Sequence, residues 1–599
     1  MLNGGTFFRS RALAVLVLLA ACLGLYVNTL PNALLWDDLP QIAENRAIRD
    51  IRHIPRLLTP RYWNESHPSP NLYRPVREIS LALDYFFWKL DPAGYRVTNI
   101  LIHAINVLLI FYLTTLVAAG GGAGKQPAVR KARVAGWPFL TALFFAAHPI
   151  HTESINLVKN RSELLALLFV LISLLLFIRH LAAAGRSRSW LMLAGAWLCF
   201  APALLSKETA LSLPGVAALY AVCFISGEER KKALVRVVPY GVTILAYFWF
   251  MHVFIRPGDP LPPGAILPEG AVQRALTVMK TLGMYGRMLL VPFPLNAEHA
   301  FTVPESLSDP GVVTFLCLLA LSAGIAVRSL SGKGIVLFAI GWIGLTLVPA
   351  ANIVYLVSRP IAEQRLYIPS LGFCLLLAVA VQSLSSIRPG RLNMTRAAVI
   401  GSVVFALYAA VTVQRNRDWR DEITFYSQTA AASPKSARIH NNLGVALKKA
   451  GRYEEAIGHF QDALRLNPDY INAHLNLAVV LYRTGRSEDA VRHYQAGLAR
   501  EPDRPGPDYA AAYNNLGAVL MEQGDAEKAM ALFRKALTIN PEDRDVCYNL
   551  GVALMSRGNF QEASALFARV LKMDPGHGPA RREQAYCRDM ISGGLESGK

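Results

Sequence analysis

The sequence predicts an all-α protein in which a polytopic bundle of membrane-spanning helices precedes an array of helical repeats. The chain has a mean hydropathy of +0.30 and only 17% charged residues, which is too apolar for an ordinary soluble domain. Apolar runs long enough to cross a hydrocarbon core of roughly 30 Å as helices recur from residue 11 to residue 413. After residue 413 these runs stop, and a pattern that repeats about every 34 residues begins.

Eleven membrane crossings are predicted from the apolar runs. They cover residues 11–30, 94–118, 137–149, 161–182, 190–205, 209–226, 237–255, 310–327, 334–350, 366–386 and 397–413. A further stretch, 276–292, contains Lys280 and Arg287. If it crossed, the basic residues of the later loops would move to the outer side, although Lys and Arg are normally enriched in cytoplasmic loops. We therefore predict that 276–292 is re-entrant or interfacial.

The basic excess of the chain belongs to its membrane half. The net charge is +19, and residues 434–599 carry only +2 of it. In a membrane protein, such a basic excess normally reports how the chain is oriented across the bilayer. The distribution therefore argues against a nucleic-acid partner. With a cytoplasmic N-terminus, eleven crossings place the C-terminus and the long loop 31–93 on the outer side. The other outer connections are then those near 148–160, 205–209, 256–309 and 351–365.

Four copies of one motif fill the C-terminal quarter of the chain. An Asn-Leu-Gly or Asn-Leu-Ala triplet begins at Asn442, Asn476, Asn515 and Asn549, and alanine, aromatic and proline positions keep the same phase. This is the pattern of tetratricopeptide repeats (TPRs), in which a small residue lets two helices approach and a proline ends the second helix. The predicted repeats are 437–468, 471–502, 510–541 and 544–575.

These patterns also predict the domain organisation. A membrane domain, 1–413, is followed by a linker with half a repeat, 414–434, by the repeat region, 435–590, and by a tail, 591–599. TPR arrays usually present a groove to a peptide or partner protein. The amides of Asn442, Asn476, Asn515 and Asn549 could bind the backbone of an extended acceptor chain. The alternative is that asparagine is simply common at this position of the repeat.

Two adjacent carboxylates follow the first predicted span on its outer side. Asp37 and Asp38 stand beside Trp36, close to the hydrocarbon, where a charge is costly unless it is used. One of them could accept a proton from an acceptor hydroxyl, while the other orients that hydroxyl or holds a divalent cation. The alternative is a solvated pair of surface acids. We predict these two as the catalytic residues, with no firm metal site.

Further polar residues lie in the outer loops or at the starts of spans. We predict that they line a cavity for a lipid-linked substrate, with cations facing its phosphate. They are Arg74, His148, His151, Glu153, Lys159, Arg161, Lys207, Glu208, Glu363, Arg365 and Tyr367. The alternatives are ion pairs between helices and a zinc site at His148 and His151, which Pro149 disfavours. Phosphate-binding nucleotide motifs are absent from the sequence, which disfavours an ATP-driven pump.

With these residues in place, the chain resembles the transmembrane and TPR-containing O-mannosyltransferases of the C-type glycosyltransferase (GT-C) superfamily. The resemblance runs nearly end to end. Its motifs are Trp36-Asp37-Asp38 with Ile42, Tyr73-Arg74-Pro75, the stretch from His148 to Glu153, Lys207-Glu208, and the stretch from Leu366 to Ser370. Family members often place arginine directly after the glutamate of the last motif, whereas here Gln364 separates Glu363 from Arg365.

The resemblance implies sugar transfer from a polyprenyl-phosphate donor to a protein Ser or Thr hydroxyl on the non-cytoplasmic side, with Asp37 or Asp38 as base. Short loops and a compact repeat array suggest a bacterial member in the inner membrane with periplasmic TPRs. A eukaryotic member would lie in the ER membrane with luminal TPRs. Two other functions stay open: a non-enzymatic membrane-anchored TPR scaffold for envelope proteins, and an oligosaccharide ligase that modifies lipid-linked glycan.

Overall fold

All regular secondary structure in the described part of the chain is helical, as the sequence predicts. The computed structural model describes residues 4–65, 73–119, 136–183, 189–255, 270–299, 301–329, 334–353, 359–385, 393–500 and 505–596. Two compact units are distinguished, Met1–Gln428 and Thr429–Lys599. Parts of the predicted outer connections 31–93, 256–309 and 351–365 lie outside the described residues, as do parts of the stretches between other predicted spans at 119–136, 179–189, 328–333 and 387–396.

The first unit contains fourteen helices of ten or more described residues, the last of which continues into the second unit. They are α1 (Gly4–Tyr26), α2 (Pro75–Trp88), α3 (Pro92–Ala118), α4 (Trp137–Ala147), α5 (Arg161–Ala182), α6 (Ser189–Leu204), α7 (Leu213–Phe224), α8 (Val238–Phe250), α9 (Gly270–Leu290), α10 (Pro310–Ser329), α11 (Gly334–Leu347), α12 (Ser370–Ser385), α13 (Asn393–Arg417) and α14 (Glu422–Ala432).

An apolar helix lies at each of the eleven predicted crossings. Six are long and apolar enough to cross a membrane, namely Arg11–Thr29, Pro92–Ala118, Val158–Ala182, Gly227–Ile255, Pro310–Arg328 and Arg396–Arg417. Five shorter ones are Trp137–Ala147, Ser189–Leu204, Glu208–Phe224, Gly334–Ala350 and Ser370–Leu384. The prediction of a multi-pass helical protein is confirmed. The number of crossings stays a prediction.

The outward faces of several spans are apolar. Leu245 on α8, Leu319 on α10 and Leu407 on α13 expose 71%, 53% and 61% of their surface. Water would not favour so many large apolar side chains side by side, whereas lipid covers them without cost. The inward faces form one core, in which α5 packs against α3 and α6.

The helix α9, which covers most of 276–292, is amphipathic and is not among the spans. Lys280 is nearly buried and its Nζ lies 2.8 Å from Asp309 Oδ2. The helix packs closely on α10, because a Cβ at Gly283 would lie 2.0 Å from the carbonyl oxygen of Gly311. That 276–292 does not cross the membrane stays a prediction.

The described part of the loop 31–93 has a small core of its own. Ile48, Leu57, Trp63 and Leu81 are fully buried in a cluster of this loop and α2. The Trp63 indole N–H also donates to the Leu57 carbonyl at 2.8 Å.

The second unit is an array of helix pairs. Its helices are α15 (Ala437–Lys449), α16 (Tyr453–Leu466), α17 (Ile471–Arg483), α18 (Ser487–Leu498), α19 (Pro507–Glu522), α20 (Ala526–Ile539), α21 (Arg544–Ser556), α22 (Phe560–Met573) and α23 (Gly578–Glu596). Each of the four predicted repeats contributes two of them. Glycines with positive φ follow the first helix of every pair, at Gly451, Gly485, Gly524 and Gly558.

Small residues face aromatic rings inside the pairs, as the repeat pattern predicts. A Cβ at Gly444 would lie 2.6 Å from the Phe460 ring, and one at Gly517 would lie 2.6 Å from the Phe533 ring. The helices therefore approach as closely as the ring allows.

We predict that Gly517→Val lowers the free energy of unfolding of the TPR unit by roughly 1–3 kcal/mol, because valine overpacks the Phe533 contact. The matched control is Gly458→Ala in α16. A Cβ at Gly458 would have no neighbouring atom within 4 Å, so alanine should stabilise the helix by up to about 1 kcal/mol. Thermal unfolding of the full chain in detergent measures both. Equal effects of the two substitutions would contradict the close packing of Gly517 against the Phe533 ring.

Candidate functional site

Asp37 and Asp38 are bonded to the segment that precedes α5. The Lys159 Nζ donates to Asp37 Oδ2 at 2.6 Å. The backbone N–H groups of Val158 and Lys159 donate to the two oxygens of Asp38 at 3.1 and 2.8 Å. Trp36 has a φ of +50°, a left-handed conformation that a bulky residue rarely adopts. Such backbone strain persists where surrounding contacts enforce it, which is common at functional sites.

The two carboxylates differ in exposure. Asp38 is fully buried, whereas 33% of the Asp37 side chain is exposed. Burial raises the pKa of Asp38 to about 6, and the N–H of Lys159 and the guanidinium of Arg96 limit the rise. Both oxygens of Asp38 already accept backbone N–H groups. Asp37 is therefore the member of the pair that a ligand can reach.

A second group joins the first loop to the connection between α6 and α7. The Nη2 of Arg74 donates to both oxygens of Glu208, at 2.9 and 2.8 Å, and Lys207 pairs with Glu163 at 2.5 Å. Burial lowers the pKa of Lys207, the carboxylate of Glu163 opposes this, and the cation of Arg74 lowers it further. The two pairs thus lie within electrostatic reach of each other. The positive charge of Arg74 also acts on the ammonium group of Lys159.

Arg161 is a fully buried anchor at the first residue of α5. Its guanidinium pairs with Asp84 at 2.5 Å and donates to Asn99 Oδ1 at 2.7 Å and to the Tyr95 carbonyl at 2.9 Å. These bonds hold the start of α5 against α2 and α3. The predicted contact of Arg161 with a donor phosphate stays a prediction.

The sequence prediction missed one cation of the site, Arg359. Its Nη1 donates to Glu153 Oε1 at 2.8 Å, and its guanidinium lies 4.9 Å from the centre of the Trp36 ring. The Nε and Nη2 atoms are buried and have no hydrogen-bond partner among the described residues. The only signal in the sequence was its place in the outer connection 351–365. Arg359 links Glu153 to the segment that carries the first-loop aspartates.

His151 and Tyr367 belong to a buried polar network between helices. His151 Nε2 lies 2.8 Å from Ser370 Oγ, and the Tyr367 hydroxyl lies 2.8 Å from His103 Nδ1. Burial holds the pKa of His151 well below its ordinary value, so the ring is neutral. His148 is also buried, with Nε2 lying 3.3 Å from a backbone carbonyl of α9. Their predicted place in a donor cavity stays a prediction.

Glu363 and Arg365 fix the segment that follows Arg359. Glu363 lies 3.3 Å from His299 Nε2 and 3.4 Å from Arg415 Nη2. Burial raises the pKa of Glu363, but Arg415 and His299 lower it by more, so the group stays ionised. Arg365 donates to a carbonyl of its own loop at 2.7 Å and to the Tyr285 hydroxyl at 3.3 Å. Its predicted contact with phosphate stays a prediction.

Among the predicted groove asparagines, Asn476 and Asn549 take part in bonds between repeats, whereas Asn442 accepts from Asn441 of its own repeat. Asn476 Nδ2 donates to Asn441 Oδ1 at 3.2 Å, and Asn476 Oδ1 accepts from Lys448 at 2.8 Å. Asn549 Nδ2 donates to Asn514 Oδ1 at 2.9 Å. The asparagine doublets that begin at residues 441 and 514 can be seen in the sequence, but the hydrogen bonds that they make to the next repeat cannot. Peptide binding by the groove stays a prediction.

The repeat assignment is supported by comparison with known families. Tetratricopeptide-repeat family models match residues 447–516 and 520–583, and another matches residues 410–471. Two solved structures are similar to parts of the chain. A crystal structure titled "YrrB: a TPR protein with an unusual peptide-binding site" is 20% identical, with a TM-score of 0.26 over 28% of this chain and 84% of that one. A MamA structure is 23% identical, with a TM-score of 0.23 over 25% and 79%.

The fold thus defines a multi-pass α-helical membrane protein that carries TPRs. Its relatives include protein O-mannosyl-transferase Tmtc3 of Drosophila melanogaster, 27% identical over 76% of this chain and 55% of that one. Human TMTC3 is 27% identical over 73% and 50%, and Xenopus laevis tmtc2 is 27% identical over 75% and 62%. The resemblance to the transmembrane and TPR-containing O-mannosyltransferases is confirmed. The chain spans about half the length of the curated relatives it matches.

We predict that the stability of the wild type relative to Asp38→Asn falls as the pH rises from about 4 to about 6 and then levels off. The pKa of Asp38 is raised in the folded state, so the folded protein keeps a proton that the unfolded chain has released. The change is about 3 kcal/mol, since the pKa of Asp38 rises from an ordinary 3.8 to about 6 and one pKa unit corresponds to about 1.4 kcal/mol. Thermal unfolding across this pH range measures it. A stability difference that rises with pH would refute the buried environment of Asp38.

Proposed function

We propose that the chain is a glycosyltransferase that moves a sugar from a polyprenyl-phosphate donor to a Ser or Thr hydroxyl of a protein on the non-cytoplasmic face. The observation that carries the proposal is that Lys159 pairs with the partly exposed carboxylate of Asp37, while Arg74 lies within electrostatic reach of Lys159 and Arg359 stacks on the neighbouring Trp36. The relatives are named protein O-mannosyl-transferases, which supports mannose as the sugar and protein as the acceptor.

Asp37 is the proposed base. Its carboxylate accepts the proton of the acceptor hydroxyl while the hydroxyl oxygen bonds to C1 of the sugar. The bond between C1 and the phosphate oxygen breaks, its electron pair leaves with the polyprenyl phosphate, and the configuration at C1 inverts. Lys159, 2.6 Å from Asp37, fixes the orientation of the carboxylate. Asp38 is a positioning residue, because both its oxygens hold the turn before α5.

Arg359 is the proposed partner of the leaving phosphate. Its Nε and Nη2 form one edge of the guanidinium, and this edge is buried without a partner among the described residues. A planar guanidinium edge matches two oxygens of a phosphate. Arg74 pairs with Glu208, and its Nε is likewise buried without a partner in the described chain. The donor phosphate can therefore gain bonds here without breaking the existing ion pairs.

The repeats are proposed to present the acceptor. The charge distribution of the membrane half predicts that the C-terminus lies on the same side of the membrane as the loop 31–93. TPR arrays commonly hold extended peptides. A flexible Ser- or Thr-containing segment held there would be available at the face where transfer is proposed.

Asp37→Asn should lower transfer of labelled mannose from a mannosyl-phosphopolyprenol donor to an acceptor protein by at least about 100-fold, because the amide cannot take the proton. The purified wild type and variants are compared in nanodiscs. Glu228→Gln is the matched control, since this exposed acid pairs with Lys231 in α-helical spacing away from the site. Full activity of Asp37→Asn would refute its role as base. A wild type that transfers no sugar but still captures envelope proteins would favour the scaffold function.

Arg359→Lys should lose part of the transfer activity and Arg359→Gln nearly all of it, because lysine keeps the charge but not the planar edge. Removing the cation also leaves the buried Glu153 without its ion-pair partner, which could destabilise the protein. The double variant Arg359→Gln, Glu153→Gln removes that charge as well. If the double variant is stable and fully active, the proposed contact with phosphate is wrong.

A further inference from the structure

Two pairs of histidines join the helices of the first two repeats. His440 on α15 and His459 on α16 place their Nδ1 atoms 3.2 Å apart. The second repeat does the same with His474 and His493, whose Nδ1 atoms lie 3.0 Å apart. The two pairs are separated by the repeat length of 34 residues. The other two repeats carry Tyr, Cys or Leu at these positions.

A third side chain that could bind a metal ion, Asp462, lies beside the first histidine pair. The second pair has no equivalent of it. Asp462 Oδ2 lies 3.7 Å from His440 Nδ1 and 3.9 Å from His459 Nδ1. These three residues form the one group of three His, Cys, Asp or Glu side chains in the described chain whose ligand atoms lie within 4.8 Å of one another. The residue equivalent to Asp462 in the second repeat is Ala496.

The hydrogen bonds leave the ligand nitrogen of His440 available. His440 Nε2 lies 3.1 Å from the carbonyl oxygen of Pro434. A carbonyl can only accept, so Nε2 carries the proton and Nδ1 of the neutral ring has a lone pair. A second ring nitrogen that donates to a backbone carbonyl is the usual arrangement around a metal-binding histidine.

The distances fit a divalent transition metal. Two ligand nitrogens about 2.0–2.1 Å from a tetrahedral Zn²⁺ lie about 3.3 Å from each other. The histidine pair is already at this separation, and the Asp462 carboxylate needs to move only by about half an ångström toward it. Asp462 is one-third exposed, so water can supply the fourth ligand. Its other oxygen is held by the exposed Arg465.

We propose that His440, His459 and Asp462 bind Zn²⁺ and that the metal joins α15 to α16 at the start of the repeat array. The proposal is independent of the glycosyltransferase function. Because the ligands come from both helices, metal binding stabilises the closed helix pair over separated helices. His440 also bonds to Pro434, so the bound metal fixes the segment that leads into the first repeat.

The test uses the full chain in detergent, purified without a polyhistidine tag and stripped with chelator. Zn²⁺ is titrated by calorimetry, and Co²⁺ is used as a spectroscopic probe whose visible absorption reports tetrahedral coordination. We expect one tight equivalent in the wild type and a rise of the thermal unfolding midpoint with Zn²⁺. His459→Gln should abolish this equivalent, and Asp462→Asn should weaken it at least tenfold.

His493→Gln is the matched control, because it removes one histidine of the pair that has no carboxylate. It should leave the tight equivalent and the Co²⁺ spectrum unchanged. Asp462→Asn keeps the proposal testable if His459→Gln does not fold, since Asp462 is on the surface of the helix pair. The proposal is overturned if the wild type binds no tight equivalent. It is also overturned if His493→Gln lowers Zn²⁺ affinity as much as Asp462→Asn.

Discussion

The buried carboxylate of Asp38 and the two backbone N–H groups that it accepts, from Val158 and Lys159, hold the candidate site together. A carboxylate inside a protein is stable only when its oxygens are hydrogen-bonded. The start of the loop 31–93 is therefore fixed against the turn before α5. Asp37 then lies beside Lys159, and Trp36 packs against the guanidinium of Arg359. The strained conformation of Trp36 is a further consequence of this fixed position.

Four further cations of the site are paired with carboxylates. Each pair avoids the large cost of an isolated buried charge. The pairs are Arg74 with Glu208, Arg161 with Asp84, Lys207 with Glu163, and Arg359 with Glu153. They connect separate parts of the chain, so they also orient the helices. The Nε and Nη2 edge of Arg359 has no partner among the described residues, and there we propose that an anionic substrate adds bonds to this network.

The repeat array combines a regular spacing of its helix pairs with side chains that differ from one repeat to the next. Glycine and phenylalanine keep the helix pairs at a constant spacing in three of the four repeats. On this regular background, the asparagine doublets bond to the next repeat, and the histidine pairs occur only in the first two repeats. Among the described residues, only the first histidine pair forms a group with a carboxylate whose ligand atom lies within 4.8 Å of both rings. This difference between repeats is the basis of the proposed metal site.

Much of this protein can be predicted from its sequence. Hydropathy determines where the apolar helices lie, because the backbone must satisfy its own hydrogen bonds in lipid, and the 34-residue period determines the TPRs, because each helix pair packs only on its neighbours. Motifs also pointed to Asp37, Asp38 and the outer-loop cations. Only the tertiary structure decided that Asp38 is buried while Asp37 is accessible, that Arg359 belongs to the site, and that His440 faces His459. These facts depend on distances between residues far apart in the chain, which periodicity and composition do not encode.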